Sequence, residues 1–327
     1  MSNAFIGRRD AFGISAAETT QGTAQAPVTW ARHMSLSLND KTTVAEDKSA
    51  LDRVEDLSDS EVTEEYAVLK MKGEVTDISS GYLLNNIFGT FSSALNGTET
   101  AVYNNTFTTN QNNSPVTHTF VRSNSAATRR YARGTLSDFE IDVKAGGFVE
   151  FTADGMANVA VPSTDIPAYV AENRFTSKHV TFKLATTVSG LTTATATNLI
   201  SLMLKITRKT TPYTPLGFID PAQFETESWG VTGKLVRRYE DTTLETTALE
   251  NTIQAMSIAI VNSDVTIGTA SHPSLTFTAP QVRLKPITID TNLDKPLTET
   301  IDFTCELSLS AGYMLEAVLT DTQNGAW

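Results

Sequence analysis

The chain has 327 residues, 40% hydrophobic and 19% charged, with one cysteine and a formal charge of −12. That length suits one large domain or two ordinary ones with buried cores, and no stretch approaches the roughly 18 consecutive apolar residues of a membrane span. Lone Cys305 excludes a disulfide scaffold or a cysteine zinc cluster, and the excess of 37 acidic over 25 basic groups argues against a surface built to grip nucleic acid.

Fifty threonines add a bias toward strands, because a β-branched side chain fits a pleated sheet better than a helix. Residues 1–34 carry Gly7, Gly13, Gly22 and Pro27 without a sustained period and are expected to form an extended arm. Arg8-Arg9 before Phe12 is no secretory signal, since Gly13 to Val28 is polar where an apolar stretch is needed. The expectation is a protein made and used in the cytosol. Residues 38–65 gather Asp47, Asp52, Glu55, Asp56, Asp59, Glu61, Glu64 and Glu65 against few cations. Two readings stay open: a solvated loop, or a contact arm that meets a basic surface on another subunit.

Order is predicted from Ala67, where Ala67, Leu69, Met71, Gly73 and Val75 alternate with Val68, Lys70, Lys72 and Glu74, mostly the period-2 pattern of a half-buried strand. A short helix follows, capped by Asp77 or Ser79, with Leu83, Leu84, Ile87, Phe88 and Phe91 on one face. The Thr/Asn-rich stretch 92–117 predicts a long loop or hairpin tip. A hairpin is then clear: Phe139, Ile141 and Val143 lead to a turn at Ala145-Gly146-Gly147, and Val149 and Phe151 return.

This order of elements recurs. Trp229, Val231, Gly233 and Leu235 match Leu69, Met71, Gly73 and Val75 at a constant offset. A helix with the box Thr242-x-x-Glu245 follows, with Leu244, Ala248 and Leu249 on one face. Ile287 and Ile289 go out, and Ile301, Phe303, Cys305 and Leu307 return; Phe151-Thr152 and Phe303-Thr304 occupy comparable places. Val180 to Phe182 and Leu199 to Ile206 supply two further strands, and Pro162, Ser163 and Pro167 mark the junction. The reading is a mainly β chain of two tandem related β-sandwich or barrel units, each with one short flanking α-helix. Residues 1–34 form the arm, 35–165 the first unit and 166–327 the second.

The search for chemistry favours a structural role and no cofactor. His33, His118, His179 and His272 lie far apart without zinc spacing and are expected in loops or on strand surfaces. No nucleophile elbow, Walker loop or dinucleotide fingerprint occurs, and Cys305 has the parity of a small buried hydrophobe. Arg129, Arg130 and Arg133 surround Tyr131, and Arg237-Arg238 precede Tyr239. Base stacking with phosphate contact is one reading of such clusters; salt bridges within the fold or between subunits suit the net charge better.

The opening Phe5-Ile6-Gly7-Arg8-Arg9-Asp10-Ala11-Phe12-Gly13-Ile14, with Glu18-Thr19-Thr20-Gln21-Gly22-Thr23, resembles the start of tail tube proteins of long-tailed, siphovirus-type bacteriophages. Leu136 to Met156 resembles the hairpin that closes their sheet, and Gly233-Lys234-Leu235 through Leu249 the strand leading into their helix. The resemblance implies a sandwich or barrel that forms stacked rings, and the duplicated form implies three chains per pseudo-hexameric ring where single units form hexamers. It further implies a virion tail protein assembled in the host cytoplasm, with tape measure, terminator and tip proteins as partners. DNA would pass an electronegative lumen without specific binding, and no membrane is involved. Candidate contacts between subunits or rings pair Asp52, Glu55, Asp56, Asp59 and Glu61 with Arg8, Arg9, Arg129, Arg130 and Arg133. Rival readings are a tail terminator, a capsid decoration protein or a carbohydrate-binding adhesion module; for the last, Trp30, Trp229 and Trp327 are too scattered to form an aromatic row.

Overall fold

The computed structural model describes residues 7–49, 52, 54–112, 114–291, 293–325 and 327. Phe5 and Ile6 of the opening phrase lie outside these. The described chain runs β1 (Ala11–Ala17), β2 (Thr29–Ala31), β3 (Met34–Asp47), β4 (Asp59–Glu74), α1 (Ser79–Phe88), β5 (Gly89–Leu95), β6 (Tyr103–Thr109), β7 (His118–Ser123), β8 (Thr128–Lys144) and β9 (Val149–Ala157). It continues through β10 (Val161–Ser163), β11 (Val180–Ala185), β12 (Ala196–Thr197), β13 (Ser201–Tyr213), β14 (Gln223–Arg238), α2 (Thr243–Leu249), β15 (Gln254–Val261), β16 (Ser274–Leu284), β17 (Thr288–Asp290), β18 (Thr298–Cys305) and β19 (Glu316–Asp321). It is a mainly β, antiparallel structure.

The principal sheet has the order β3-β4-β9-β8-β13-β14-β18-β17. Its inward face carries Leu69, Met71, Phe139, Ile141, Phe151, Leu204, Ile206, Leu235, Ile301 and Phe303, all buried, because period-2 alternation sends every second residue to one side. A second sheet, β5-β6-β19-β16-β15-β11-β12, contributes Phe107, Phe182, Ile258, Phe277 and Leu319 to the same continuous core. Strand β16 belongs to both: its N-terminal end pairs with β19, and its C-terminal end crosses to β18. A small third sheet joins β2, β1, β7 and β10 to the first half of β8.

Helix α1 is buried at all ten residues, between β8, β5, β6 and β1. Its apolar residues pack into the core, and Asn86 turns inward because its amide is satisfied there: Nδ2 donates to Gly134 O (2.8 Å) and Oδ1 accepts from Leu136 N (2.7 Å). Gly89 ends the helix at φ +83°, a left-handed cap that costs glycine no Cβ clash, and its N–H donates to Asn85 O.

Several expectations are corrected. Residues 38–47 and 59–65 of the acidic segment are strand, the outer part of the β3–β4 hairpin, paired from Met34↔Gly73 to Asp47↔Asp59 with one register shift after Thr43. Order therefore starts well before Ala67. Part of residues 1–34 is a buried strand rather than a free arm: Ala11, Phe12 and Ile14 of β1 lie against β7. The stretch 92–117 holds the end of β5 and all of β6, with Phe107 fully buried. Neither Asp77 nor Ser79 caps α1: Ser79 N donates to Glu172 Oε1 (3.2 Å), and the Asp77 carboxylate accepts from Asn173 N (2.8 Å) and Nδ2 (2.6 Å). In α2, Asp241 Oδ1 accepts from Thr243 N (2.8 Å), Glu245 meets the Tyr239 hydroxyl, and no Thr242 box forms. Leu249 is exposed. His118 and His179 are buried, neither on a strand surface nor in a solvated loop.

Gly73 of β4 lies opposite Phe151 of β9, and Gly233 of β14 lies opposite Phe303 of β18. A Cβ on Gly233 would sit 2.1 Å from the Phe303 ring and 2.5 Å from Met203 O, so the aromatic occupies the space a side chain would take. Gly233→Ala should therefore destabilise the protein by about 1–3 kcal/mol through overpacking. Thermal melts test this: Gly233→Ala together with Phe303→Leu should melt higher than Gly233→Ala with Phe303 intact, relative to the corresponding single-Leu control.

Candidate assembly surfaces

The principal sheet leaves one broad face uncovered and two edges unpaired among the described residues. The edges are β3, which pairs only with β4, and β17, which pairs only with β18. Exposed backbone edges of this kind are templates for pairing with another chain. The uncovered face carries rows of charge set by strand parity: Lys70 and Lys72 on β4, Glu150 and Asp154 on β9, Asp138, Glu140 and Asp142 on β8, Lys205 on β13, Lys234 on β14 and Asp302 on β18. Cross-strand pairs tie these rows together, Lys72–Glu150 at 3.3 Å and Lys205–Asp138 at 3.4 Å. Six acids against four lysines leave the face only slightly negative.

The negative surplus lies elsewhere. Residues 40–65 hold ten Asp and Glu against three Lys and Arg, and Asn39–Ser49 with Val54–Thr63 are exposed on both faces of the hairpin. Asp52, Glu55, Asp56, Asp59 and Glu61 all sit on this outer part. Asp47 lies directly opposite Asp59, a cross-strand pairing of like charges that an isolated hairpin would not favour. A two-stranded ribbon without a packed face is marginal by itself in water.

A second hairpin, β13–β14, projects from the same end of the sheet. Its turn touches the acidic arm: Glu65 N donates to Ile219 O (2.9 Å), and the Thr214 hydroxyl donates to Glu64 Oε1 (2.8 Å). At its tip Leu216 is 102% and Phe218 67% exposed.

The basic candidates have mixed fates. Arg130 is held within the fold by a two-pronged pair to Asp165 (2.7 and 2.6 Å), and this hydrogen bonding raises the Arg130 pKa and lowers that of Asp165. Arg133 donates to Pro221 O (3.0 Å) and Gln21 O (3.2 Å). Arg129 is exposed at the root of the acidic arm, lining a cavity of about 370 Å³ with Leu38, Asn39 and Asp40. Arg8 and Arg9 are exposed on a single 3-10 turn. The structure thus brings Arg129 beside the base of its own arm and gives Arg130 and Arg133 internal partners. Arg237 pairs with fully buried Glu299, a salt bridge within the fold, which is one of the two salt-bridge readings the sequence left open for this cluster.

One organising residue escaped the sequence reading. Glu18 accepts four hydrogen bonds, from Gly22 N, Thr117 Oγ1, Thr119 Oγ1 and Arg133 N, each at 2.8 Å. The carboxylate folds its own Glu-Thr-Thr-Gln-Gly-Thr phrase over β7 and β8, and the Arg133 guanidinium packs on Gly22. The phrase was visible; its role was hidden because three of the four donors lie about a hundred residues away.

No cluster of His, Cys, Asp and Glu fit to hold a metal ion occurs among the described residues. Burial pushes the Cys305 thiol up to about 12, and burial lowers His118 to about 4, so both are neutral at physiological pH. A sequence model of the family described as "Phage tail tube protein" matches residues 8–305. Comparison with curated proteins returned no match.

Proposed function

Because the chain belongs to the phage tail tube protein family, we propose that it polymerises as stacked rings into the hollow tube of a phage tail and that DNA passes along the tube during ejection. The family makes it a structural tail component of the virion, with a non-enzymatic role. The observation that carries the ring reading is the β8–β13 junction. There seven consecutive residue pairs, from Ser201↔Lys144 to Thr207↔Asp138, join the strand groups of the two halves into one sheet. Repeating that junction between copies, with the β17 edge of one against the β3 edge of the next, extends the sheet without a break, and cyclic closure removes both edges. The matched pairs Gly73–Phe151 and Gly233–Phe303 support two related units, so that three chains make a pseudo-hexameric ring.

In this arrangement the uncovered face lines the passage. Its acids are interleaved with lysines, so the wall is weakly charged, and the repulsion of phosphate comes mainly from the acidic arms wherever they border the lumen. Without a basic stripe there is little counterion release to make DNA adhere. Tape measure, terminator and tip proteins are the remaining partners, and assembly takes place in the host cytoplasm.

The arms are suited to contacts between rings. In a head-to-tail stack they approach the opposite end of the next copy, where Arg32 and Arg238 are exposed; Arg8, Arg9 and Arg129 are alternative partners. Replacing Asp52, Glu55, Asp56 and Asp59 together by Lys should abolish tubes in negative-stain images while thermal melts of the unassembled chain stay within about 2 °C, because exposed charges contribute little to folding. Tubes of normal length from this variant would sink the arm contact. A wild-type chain that remains a monodisperse monomer under all assembly conditions would sink the tube reading.

A further inference from the structure

We propose that the tip of the β13–β14 hairpin is a knob that plugs an apolar socket on the next copy along the tube. The proposal rests on the tube reading above and identifies the contact that would hold successive rings together. The knob is the turn Leu216-Gly217-Phe218-Ile219, whose three apolar side chains are 102%, 67% and 44% exposed. Such a concentration of apolar surface on one turn, at the far end of a projecting hairpin, marks an interaction site in a soluble protein.

The socket is a cavity of about 190 Å³ at the opposite end of the molecule, walled by Val143, Phe182, Leu199, Ile200 and Leu202. It has the capacity for one large apolar side chain. Its position follows from topology: β13 begins in the socket wall at Ser201 and Leu202 and runs thirteen residues to the hairpin that carries the knob. At about 3.3 Å per residue the two features are separated by roughly 40 Å along a single strand. A second copy in the same orientation, shifted along β13 by about that distance, therefore presents its socket to the first copy's knob. Such a heterologous contact does not close on itself and propagates as a filament.

Charge around the two features is complementary. The knob is flanked by exposed Asp220 and by Glu64, which holds the turn through Thr214. The socket lining includes Lys178, whose side chain is 63% exposed. Lys178 has an internal acidic partner, Asp264, but an exposed pair of this kind exchanges partners at little cost.

The test uses the full chain. Phe218→Cys with Ile200→Cys should give, on mild oxidation of assembled material, a ladder of covalent oligomers that collapses on reduction. Either cysteine alone should give none, and buried Cys305 should not contribute. Leu216→Asp with Phe218→Asp should fold with an unchanged melt yet shorten tubes at least tenfold. Tubes of wild-type length from the double Asp variant, or no ladder from tubes of the double Cys variant, would overturn the knob and socket while leaving the tube reading intact. A wild-type chain that forms no tubes overturns both.

Discussion

Arg208→Met should cost the protein about 3–5 kcal/mol, a large share of the roughly 5–15 kcal/mol that separates folded from unfolded domains. Arg208 is 4% exposed and has no carboxylate among its hydrogen-bond partners. Its guanidinium donates to Leu136 O (3.0 and 2.6 Å), to Asn86 O (2.7 Å) and Ile87 O (3.4 Å), and to Asn86 Oδ1 (3.4 Å). Asn86 and Ile87 lie in the last turn of α1, where carbonyls have no partner within the helix and where the helix dipole favours a cation. Burial lowers the Arg208 pKa to about 9, which still leaves it charged at neutral pH. Met preserves most of the volume but strands these carbonyls in the core, and each buried acceptor left unpaired costs about 1–3 kcal/mol. Lys restores charge without the planar fork and should recover only part of the loss. Denaturant melts of the unassembled chain measure the effect; a loss below about 1 kcal/mol for Arg208→Met would show that the guanidinium does not anchor the helix.

Arg208 also shows how far strand parity alone reaches. Leu202, Leu204 and Ile206 face inward on β13, so the same count sends Arg208 into the core, and Ile301, Phe303 and Cys305 send Glu299 inward in the same way. The tail-tube phrase, both helices, the β8–β9 hairpin and the strands β4 and β14 were legible because their signals are local. What remained hidden depends on partners far along the chain. β1 is a buried strand only because β7 lies beside it, and β6 is ordered by β5 and by β19, more than two hundred residues away. Charge misled in the arm: a segment dense in Asp and Glu has the composition of a solvated loop, yet β-branched Thr42, Thr43, Val44, Val62 and Thr63 permit an extended ribbon. Net charge by itself carries no location, and the structure puts much of it on the exposed outer part of the β3–β4 hairpin, where the sequence had already gathered the acids.

Stability should fall as pH rises from about 5 to 9, and Asp321→Asn should remove much of that fall. Asp321 ends β19, is 1% exposed, and accepts from Gln323 N (2.7 Å) and Asn105 Nδ2 (3.1 Å) through Oδ1, while Oδ2 is buried without a partner. Burial, with the Asp77 carboxylate adding to it, pushes the Asp321 pKa up to about 8. Burial raises Asp77 and Glu172 as well, and the charges of Asp321 and Glu172 add to the burial that lifts the Tyr82 hydroxyl to about 12. A carboxyl whose pKa is raised by folding is held protonated in the native state between its unfolded value, near 4, and its folded one. Over that interval the native chain binds a proton that the unfolded chain has released, so unfolding free energy declines with pH until the folded group also ionises. A rise from 3.8 to about 8 sets an upper bound on the order of 6 kcal/mol for this one site. Asn carries no charge at any pH, retains the Oδ1 acceptor and fits the same space. Wild type should therefore melt progressively lower from pH 5 to 9, and Asp321→Asn should be the more stable protein at pH 9 with little difference at pH 5. Parallel melting curves for the two proteins across this range would mean that Asp321 is already ionised at pH 5 in the folded chain.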